Sequence, residues 1–241
     1  MKDKLNHLIV GYGEVGRGLA EVLKQKGKVW ILDPYKGLKH NNNWPKKFYT
    51  IHICIPFNNN FSKAVKDIKK KYGHEILIIH STVPVGTSNK LGAVYSPIRG
   101  DHPNLVRGIK IFVKYVGGKN SQVVARLFKK YGIKTKILKN TKDAEALKLW
   151  DTTQYGWMII LNKEIWNWCK KNKVDFDAVY RDANETYNIG YLKLGRKNVV
   201  RPNLKYTPGP IGGHCVIPNC DLLNSSVSKL IKNINKKYRR N

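Results

Sequence analysis

Negative charge is scarce in this chain. Ten Asp and six Glu stand against 45 Lys and Arg in 241 residues, a formal net charge of +29. Matched ion pairs cannot cover such a surface, and its field attracts phosphates, nucleotide sugars, nucleic acid or anionic surfaces. A coding bias toward Lys, Asn, Ile and Tyr explains part of the excess, yet it would enrich Glu as well. Long apolar runs are also missing. None approaches the roughly 20 residues that a membrane helix needs, so no membrane partner is expected. Only four cysteines are present, Cys54, Cys169, Cys215 and Cys220. They form no disulfide framework and no metal-ligand spacing, which predicts a reducing cytoplasm and no metal. Cys215 and Cys220 are near enough in sequence to suggest a redox pair. MKDKLNH runs straight into LIV, so no signal peptide is expected.

A hydrophobic fraction of 41% and an aromatic fraction of 10% describe a globular chain able to bury a core. The apolar run 8–10 is followed by GYGEVGRG and a helical pattern through Leu19, Ala20, Val22 and Leu23. Strands are predicted at 28–32, 49–55, 76–80, 93–95 and 109–116, with helices near 60–72 and 120–131. Alternating strands and helices predict a parallel α/β sheet. Beyond it, 141–171 has no proline and one glycine, with Ala144, Leu147, Tyr155, Met158, Ile159, Ile165 and Trp166 at helical spacing. One long helix is expected there. It carries Trp150, Trp157, Trp166 and Trp168, which are read as core and dimer packing. Further helices are expected at 175–187 and 221–237. The domain expectation is therefore a dinucleotide-binding domain over 1–140 and a helical domain over 141–241, with the long helix 143–171 building a homodimer.

Gly11-Tyr12-Gly13-Glu14-Val15-Gly16 follows a strand and opens a helix. The first glycine permits the tight turn, the second lets amides approach a pyrophosphate, and the third lets helix and strand pack closely. The helix N-terminus adds partial positive charge. Asp33 ends the second strand, where a carboxylate binds ribose hydroxyls and repels a 2′-phosphate. NAD is the expected cofactor, with Pro56 and Thr82 completing its contacts.

TPGPIGGHC, residues 207–215, sets Cys215 in a loop where Pro208 and Pro210 fix φ and glycines allow unusual angles. A loop thiol becomes a nucleophile when its thiolate is stabilised and substrate reaches it. The alternative is a tight turn ending in a small buried residue. His214 can lower the thiol pKa, although adjacent side chains often point apart.

Taken in order, GYGEVG, STVPVGT at 81–87, the AEALK helix at 144–148 and GPIGGHC resemble the UDP-glucose/GDP-mannose/UDP-N-acetylmannosamine 6-dehydrogenase family. The resemblance covers Leu8 to about Asp221. It implies a Rossmann-type domain followed by a helical dimerisation domain, and a shortened form without the C-terminal nucleotide-binding domain. It also implies two NAD-dependent oxidations of a sugar CH2OH, through a thiohemiacetal and a thioester. Cys215 then matches the nucleophile, Lys148 the oxyanion partner and Thr82 the residue that orders water or substrate. Three positions depart from the family pattern. Ile98 stands for the glutamate that helps hydrolyse the thioester, Thr152 for an asparagine, and Asn219 for an aspartate that Asp221 can replace after a small shift. Arg99, His102, Thr152, Gly213 and His214 are the expected contacts of a small anionic substrate. A nucleotide sugar or a hydroxy acid fits that description.

Two rival readings remain open. One is a 3-hydroxyacid-type dehydrogenase, which also sets a lysine on the helix after its Rossmann domain and needs no cysteine. The other is a non-catalytic Rossmann protein that binds nucleic acid or another polyanion through its charge. No nucleic-acid module, aromatic–basic alternation or Cys/His finger supports the latter.

Overall fold

The computed structural model describes residues 4–100 and 105–239. It divides into two compact units at Lys148/Leu149. In chain order the first unit contains β1 (Asn6–Val10), α1 (Glu14–Lys24), β2 (Lys28–Leu32), β3 (Lys47–Ile53), α2 (Phe61–Lys71) and β4 (Gly73–Ile79). It continues with α3 (Thr87–Lys90), β5 (Val94–Tyr95), α4 (Leu105–Ile111), β6 (Lys114–Gly117), α5 (Ser121–Lys130) and β7 (Thr135–Leu138). A 32-residue helix, α6 (Thr141–Asn172), starts here and runs on into the second unit.

The seven strands form one sheet in the order β2-β1-β3-β4-β5-β6-β7. This is a Rossmann-type sheet, and its strand order reverses between β1 and β3, where such sheets open a crevice at their carboxyl edge. Side-chain alternation feeds both faces. Ile9, Ile76, Ile78 and Val116 pack with Leu19, Leu23, Val124 and Phe128 on one face. Leu8, Val10, Ile51, Ile53, Leu77 and Ile79 pack with Phe61 and Val65 on the other. Burial on both faces explains why the strands read as unbroken apolar runs.

The sheet departs from the all-parallel expectation at one place. β5 and β6 run antiparallel, with Tyr95 opposite Gly117. The strand expected at 109–116 is also replaced by the end of α4 and the start of β6. Leu105 and Ile109, one helical turn apart, are both buried, and Gly18 admits Leu105 closely enough to seat α4 on α1. The run IKIFVKYV satisfies either period, and packing selects the helix. β7 was not foreseen, because TKIL is too short to announce itself.

The second unit holds the rest of α6, a π-helical turn at Asp177–Asp182, α7 (Ala183–Lys193), α8 (Val216–Leu223) and α9 (Ser226–Lys237). Its core is Ile160, Ile211, Val216, Cys220 and Ile231. The helix expected at 221–237 is two helices. Asn224 turns left-handed at φ 48, and Ser225 restarts the chain as a capping box with Ser228. The tryptophans of α6 do not form core: Trp150, Trp157 and Trp168 are 45%, 37% and 58% exposed. Trp166 instead stacks on Tyr206 at 4.2 Å. Among the described residues, no helix is long and apolar enough to cross a membrane.

One inclusion in the first core is polar. His7, Thr50, His52, His80 and Lys114 are all buried on the face that also carries Phe128. Burial pulls His7 from 6.5 to about 4. It pulls His52 and His80 well below their usual range, with neighbouring cationic groups adding to the effect. The folded state therefore holds these rings neutral while the unfolded chain protonates them near pH 6.5. Their contribution is present above that pH and is lost as pH falls below it. His7 alone accounts for roughly 3 kcal/mol by pH 4. The urea midpoint is expected to fall steeply from pH 7 to pH 4.5. A flat profile over that interval would show that the rings are not held neutral.

Candidate functional site

At the carboxyl edge of the first unit, the loops after four neighbouring strands converge. Gly11 follows β1 with φ +90, and a Cβ there would lie 2.9 Å from Cys54 C and Ile55 N. A Cβ on Gly16 would meet the Gly11 carbonyl oxygen at 1.9 Å. These positions need glycine for packing. Gly13 has nothing within 4 Å of its absent side chain, so a ligand can approach its backbone. It caps α1 without a side-chain hydrogen bond, and the amides of that first turn suit a phosphate. Glu14 is exposed, while Tyr12 and Val15 are half-buried.

Asp33 directly follows β2. The Tyr12 N–H donates to Asp33 Oδ2 at 2.8 Å, and Lys36 Nζ donates to the Tyr12 carbonyl at 2.8 Å. The carboxylate is thereby aimed at the glycine loop and retains acceptor capacity for ribose hydroxyls. Pro56 is exposed in the loop after β3, and half-buried Thr82 lies in the loop after β4. Beside Thr82, Ser81 Oγ donates to the Ile55 carbonyl at 2.6 Å, which ties these two loops together. These residues fit a dinucleotide on geometry and donor chemistry. Beside the first turn of α1, a cavity of about 690 Å³ is lined by Glu14, Arg17, Glu21, Arg107 and Lys110.

Lys148 is half-buried near the start of α6, and its Nζ donates to the Ile98 carbonyl at 3.1 Å. Its placement follows from Glu145, one turn earlier. The buried Glu145 carboxylate accepts from the Gly86 N–H at 2.5 Å and the Ser88 N–H at 2.7 Å, fixing the helix start against the STVPVGT loop. Arg99 stacks between Phe112 and Tyr115, its guanidinium 5.7 and 5.8 Å from their ring centres. His102 lies outside the described residues.

The second unit shapes the cysteine loop by clamping it at two points. Lys163 Nζ, on α6, donates to the Thr207 carbonyl and, at 2.8 Å, to the Gly209 carbonyl. Asn235 Oδ1, on α9, accepts from the Ile211 N–H at 2.6 Å. Gly209 and Gly213 take left-handed angles of +75 and +76. Cys215 then caps α8, and it is exposed, as are Gly213 and His214. Gly156 admits α8 to α6: a Cβ there would stand 2.5 Å from Val216 Cγ1. Thr152 Oγ1 accepts from Asn219 Nδ2 at 2.9 Å.

All four cysteines are free thiols; Cys220 is buried beside Thr153, while Cys215 faces solvent. Asp221 pairs with Lys232 on α9. The sequence reading missed Glu145, Lys163 and Asn235. Only Glu145 carried a signal, as an acid inside an otherwise apolar AEAL run.

No protein-family model matches this chain, and no curated protein does either. Solved structures do match its fold. The UDP-D-ManNAc dehydrogenase of Pyrococcus horikoshii aligns at TM-score 0.73 and 18% identity, over 97% of this chain and 69% of that one. The 3-hydroxyisobutyrate dehydrogenase of Mycobacterium tuberculosis aligns at TM-score 0.71 and 12% identity, over 99% and 94%. MTH1747, a conserved protein of unknown function described as similar to 3-hydroxyacid dehydrogenases, aligns at TM-score 0.69 and 14% identity, over 98% and 97%. At these identities the likeness is one of fold.

Gly156→Ala is expected to push α8 away from α6 and cost about 1–3 kcal/mol. A lowered melting temperature together with altered alkylation of Cys215 by a thiol reagent would show it. Unchanged values for both would mean that the second unit absorbs the methyl group.

Proposed function

We propose that the protein is an NAD-dependent oxidoreductase acting on a CH–OH group. The observation that carries this reading is the Gly11–Gly16 loop with Asp33 held against it by the Tyr12 N–H. Bound there, NAD supplies the hydride acceptor. The chain's own residues do the rest. Glycine-loop amides receive the pyrophosphate, Asp33 receives the ribose, and Thr82 orders water or substrate. The Lys148 ammonium stabilises the alkoxide formed as the hydroxyl gives its proton to solvent, and that alkoxide becomes the carbonyl as its hydride leaves.

The finer reading is a nucleotide-sugar 6-dehydrogenase type, with Cys215 adding to the aldehyde as a thiohemiacetal. Support comes from GPIGGHC, from the exposure of Cys215 at a fixed loop, and from the likeness to the Pyrococcus enzyme. A second reading has its own observation. Ile98 is buried and apolar, and Asn219 spends its amide on Thr152, so neither of these two positions offers an acid to assist thioester hydrolysis. That favours one oxidation of a hydroxy acid without covalent catalysis, as in a 3-hydroxyacid-type dehydrogenase. Arg99, Thr152, Gly213 and His214 are the substrate contacts in either case, and the substrate is a small anion.

We place a homodimer on α6. Trp150, Trp157, Leu161 and Trp168 are all exposed. At about 100° per residue they lie within about 20° of one line along the helix. Such a stripe on a single helix face fits a second copy of the same helix better than solvent.

NAD at 100 times its Kd is expected to stabilise the fold by about 2.7 kcal/mol, seen as a rise in melting temperature that Asp33→Ala abolishes. No rise ends the cofactor reading. With a panel of nucleotide sugars and hydroxy acids, Cys215→Ser removing all turnover supports the covalent route. A mild effect supports the hydroxyacid route, and Lys148→Met should lower kcat in both. Sedimentation velocity should report a dimer that Trp157→Glu dissociates; a monomeric wild type refutes the stripe as an interface.

A further inference from the structure

The buried polar inclusion of the first unit is a continuous chain of hydrogen bonds. Tyr131 Oη lies 2.8 Å from His7 Nε2, and His7 Nδ1 lies 2.6 Å from Thr50 Oγ1. Thr50 Oγ1 is 2.7 Å from His52 Nε2, and His52 Nδ1 is 2.9 Å from His80 Nε2. His80 Nδ1 then faces the Ser96 carbonyl at 2.6 Å and Lys114 Nζ at 3.2 Å. The path climbs the sheet. His7 is the second residue of β1 and pairs in register with Thr50, while His80 follows the last residue of β4. It thus runs from the amino edge, where Tyr131 keeps only 4% of its surface exposed, to the carboxyl edge, where the cofactor loops gather. Lys114 Nζ also donates to the Ser96 and Pro97 carbonyls, and Lys148 takes the next one, Ile98.

The chain can carry its protons in two polarities. In one, each ring carries its proton on Nε2, Lys114 donates to His80 Nδ1, and His7 Nε2–H donates to Tyr131 Oη. In the other, each ring carries its proton on Nδ1, His80 Nδ1–H donates to Ser96, and the Tyr131 hydroxyl donates to His7. Both keep the three rings neutral; the second matches the 2.6 Å contact of His80 Nδ1 with the Ser96 carbonyl, whereas in the first those two atoms both accept from Lys114 and must move apart. The two differ by the passage of one proton.

We propose that this chain is a proton conduit through which the buried Lys114 exchanges its proton with solvent at the opposite edge of the sheet, switching from ammonium to amine when a cationic nicotinamide occupies the cleft. The inference rests on the NAD reading above. Each transfer balances. Lys114 gives a proton to His80 Nδ1, His80 Nε2 gives one to His52 Nδ1, and His52 Nε2 gives one to Thr50 Oγ1. The Thr50 hydroxyl proton passes to His7 Nδ1, His7 Nε2 gives its proton to Tyr131 Oη, and the Tyr131 hydroxyl proton passes to water. Six bonds to hydrogen break and six form, leaving a neutral amine. Once the nicotinamide ring is neutral, the same steps in reverse restore the ammonium, so the cycle closes.

Charge around Lys114 fits this role. Burial pushes its pKa well down, the nearby Cys54 thiol works in the opposite direction, and Lys148 adds to the lowering. Arg99 lies on the same small cavity wall. A further cation arriving at this edge acts in the same direction as burial and Lys148, favouring the amine.

The test needs no substrate. Calorimetric titration of the full chain with NAD+ and with NADH, in buffers of different ionisation enthalpy near neutral pH, counts the protons released on binding. About one is expected with NAD+ and none with NADH, and Lys114→Met should abolish the release. Stopped-flow release followed with a pH indicator should slow at least tenfold in Tyr131→Phe. In the wild type, 15N spectra of labelled histidines should show the rings moving from the Nε2–H to the Nδ1–H form on NAD+ binding, a readout independent of how any variant folds. If NAD+ does not bind, the cofactor reading fails. If it binds without proton release, without a tautomer change, or with release unaltered in Lys114→Met, the conduit is refuted.

Discussion

A single buried carboxylate organises the first unit. Glu145 contributes no exposed surface, and its two oxygens take the Gly86 and Ser88 amides at the mouth of the STVPVGT loop. Burying that charge is tolerable only because two N–H groups solvate it. The bonds do two things at once. They hold the loop that brings Thr82 to the sheet edge, and they set the rotation of α6 at its start. Lys148, one turn on, then reaches the Ile98 carbonyl.

Order in the second unit comes from side chains on helices holding loop backbone. Lys163 and Asn235 supply donors and an acceptor to a segment whose prolines and left-handed glycines cannot pair in a sheet or helix. Cys215 is consequently presented by a loop fixed from both ends. The departures at Ile98 and Asn219 are structural commitments as well: one is buried apolar surface, and the other is bonded to Thr152.

Much of this was legible in the residues. The glycine loop and Asp33 announced themselves because their spacing serves backbone geometry, which leaves few alternatives. The unbroken apolar runs of β1, β3 and β4, alternating with helical patterns, gave the sheet, and an uninterrupted 3.6-residue period gave α6. Where period alone decided, the reading slipped. IKIFVKYV serves helix or strand equally until Gly18 seats α4, and the break at Asn224 depends on a left-handed residue that other contexts would keep helical. The histidine chain went unread although three rings lie in apolar strand segments, HLIV, TIHICI and ILIIHS. Each looks like an isolated core histidine, and only pairing across strands shows that they touch.

The exposure of Cys215 sets it apart from the other thiols. Cys169 and Cys220 are buried, and burial raises the Cys54 thiol to about 12. A reagent that modifies thiolates therefore meets one accessible target on a loop of defined shape. The loop comes with a natural attachment point for a spectroscopic reporter, one that can be read without knowing the substrate.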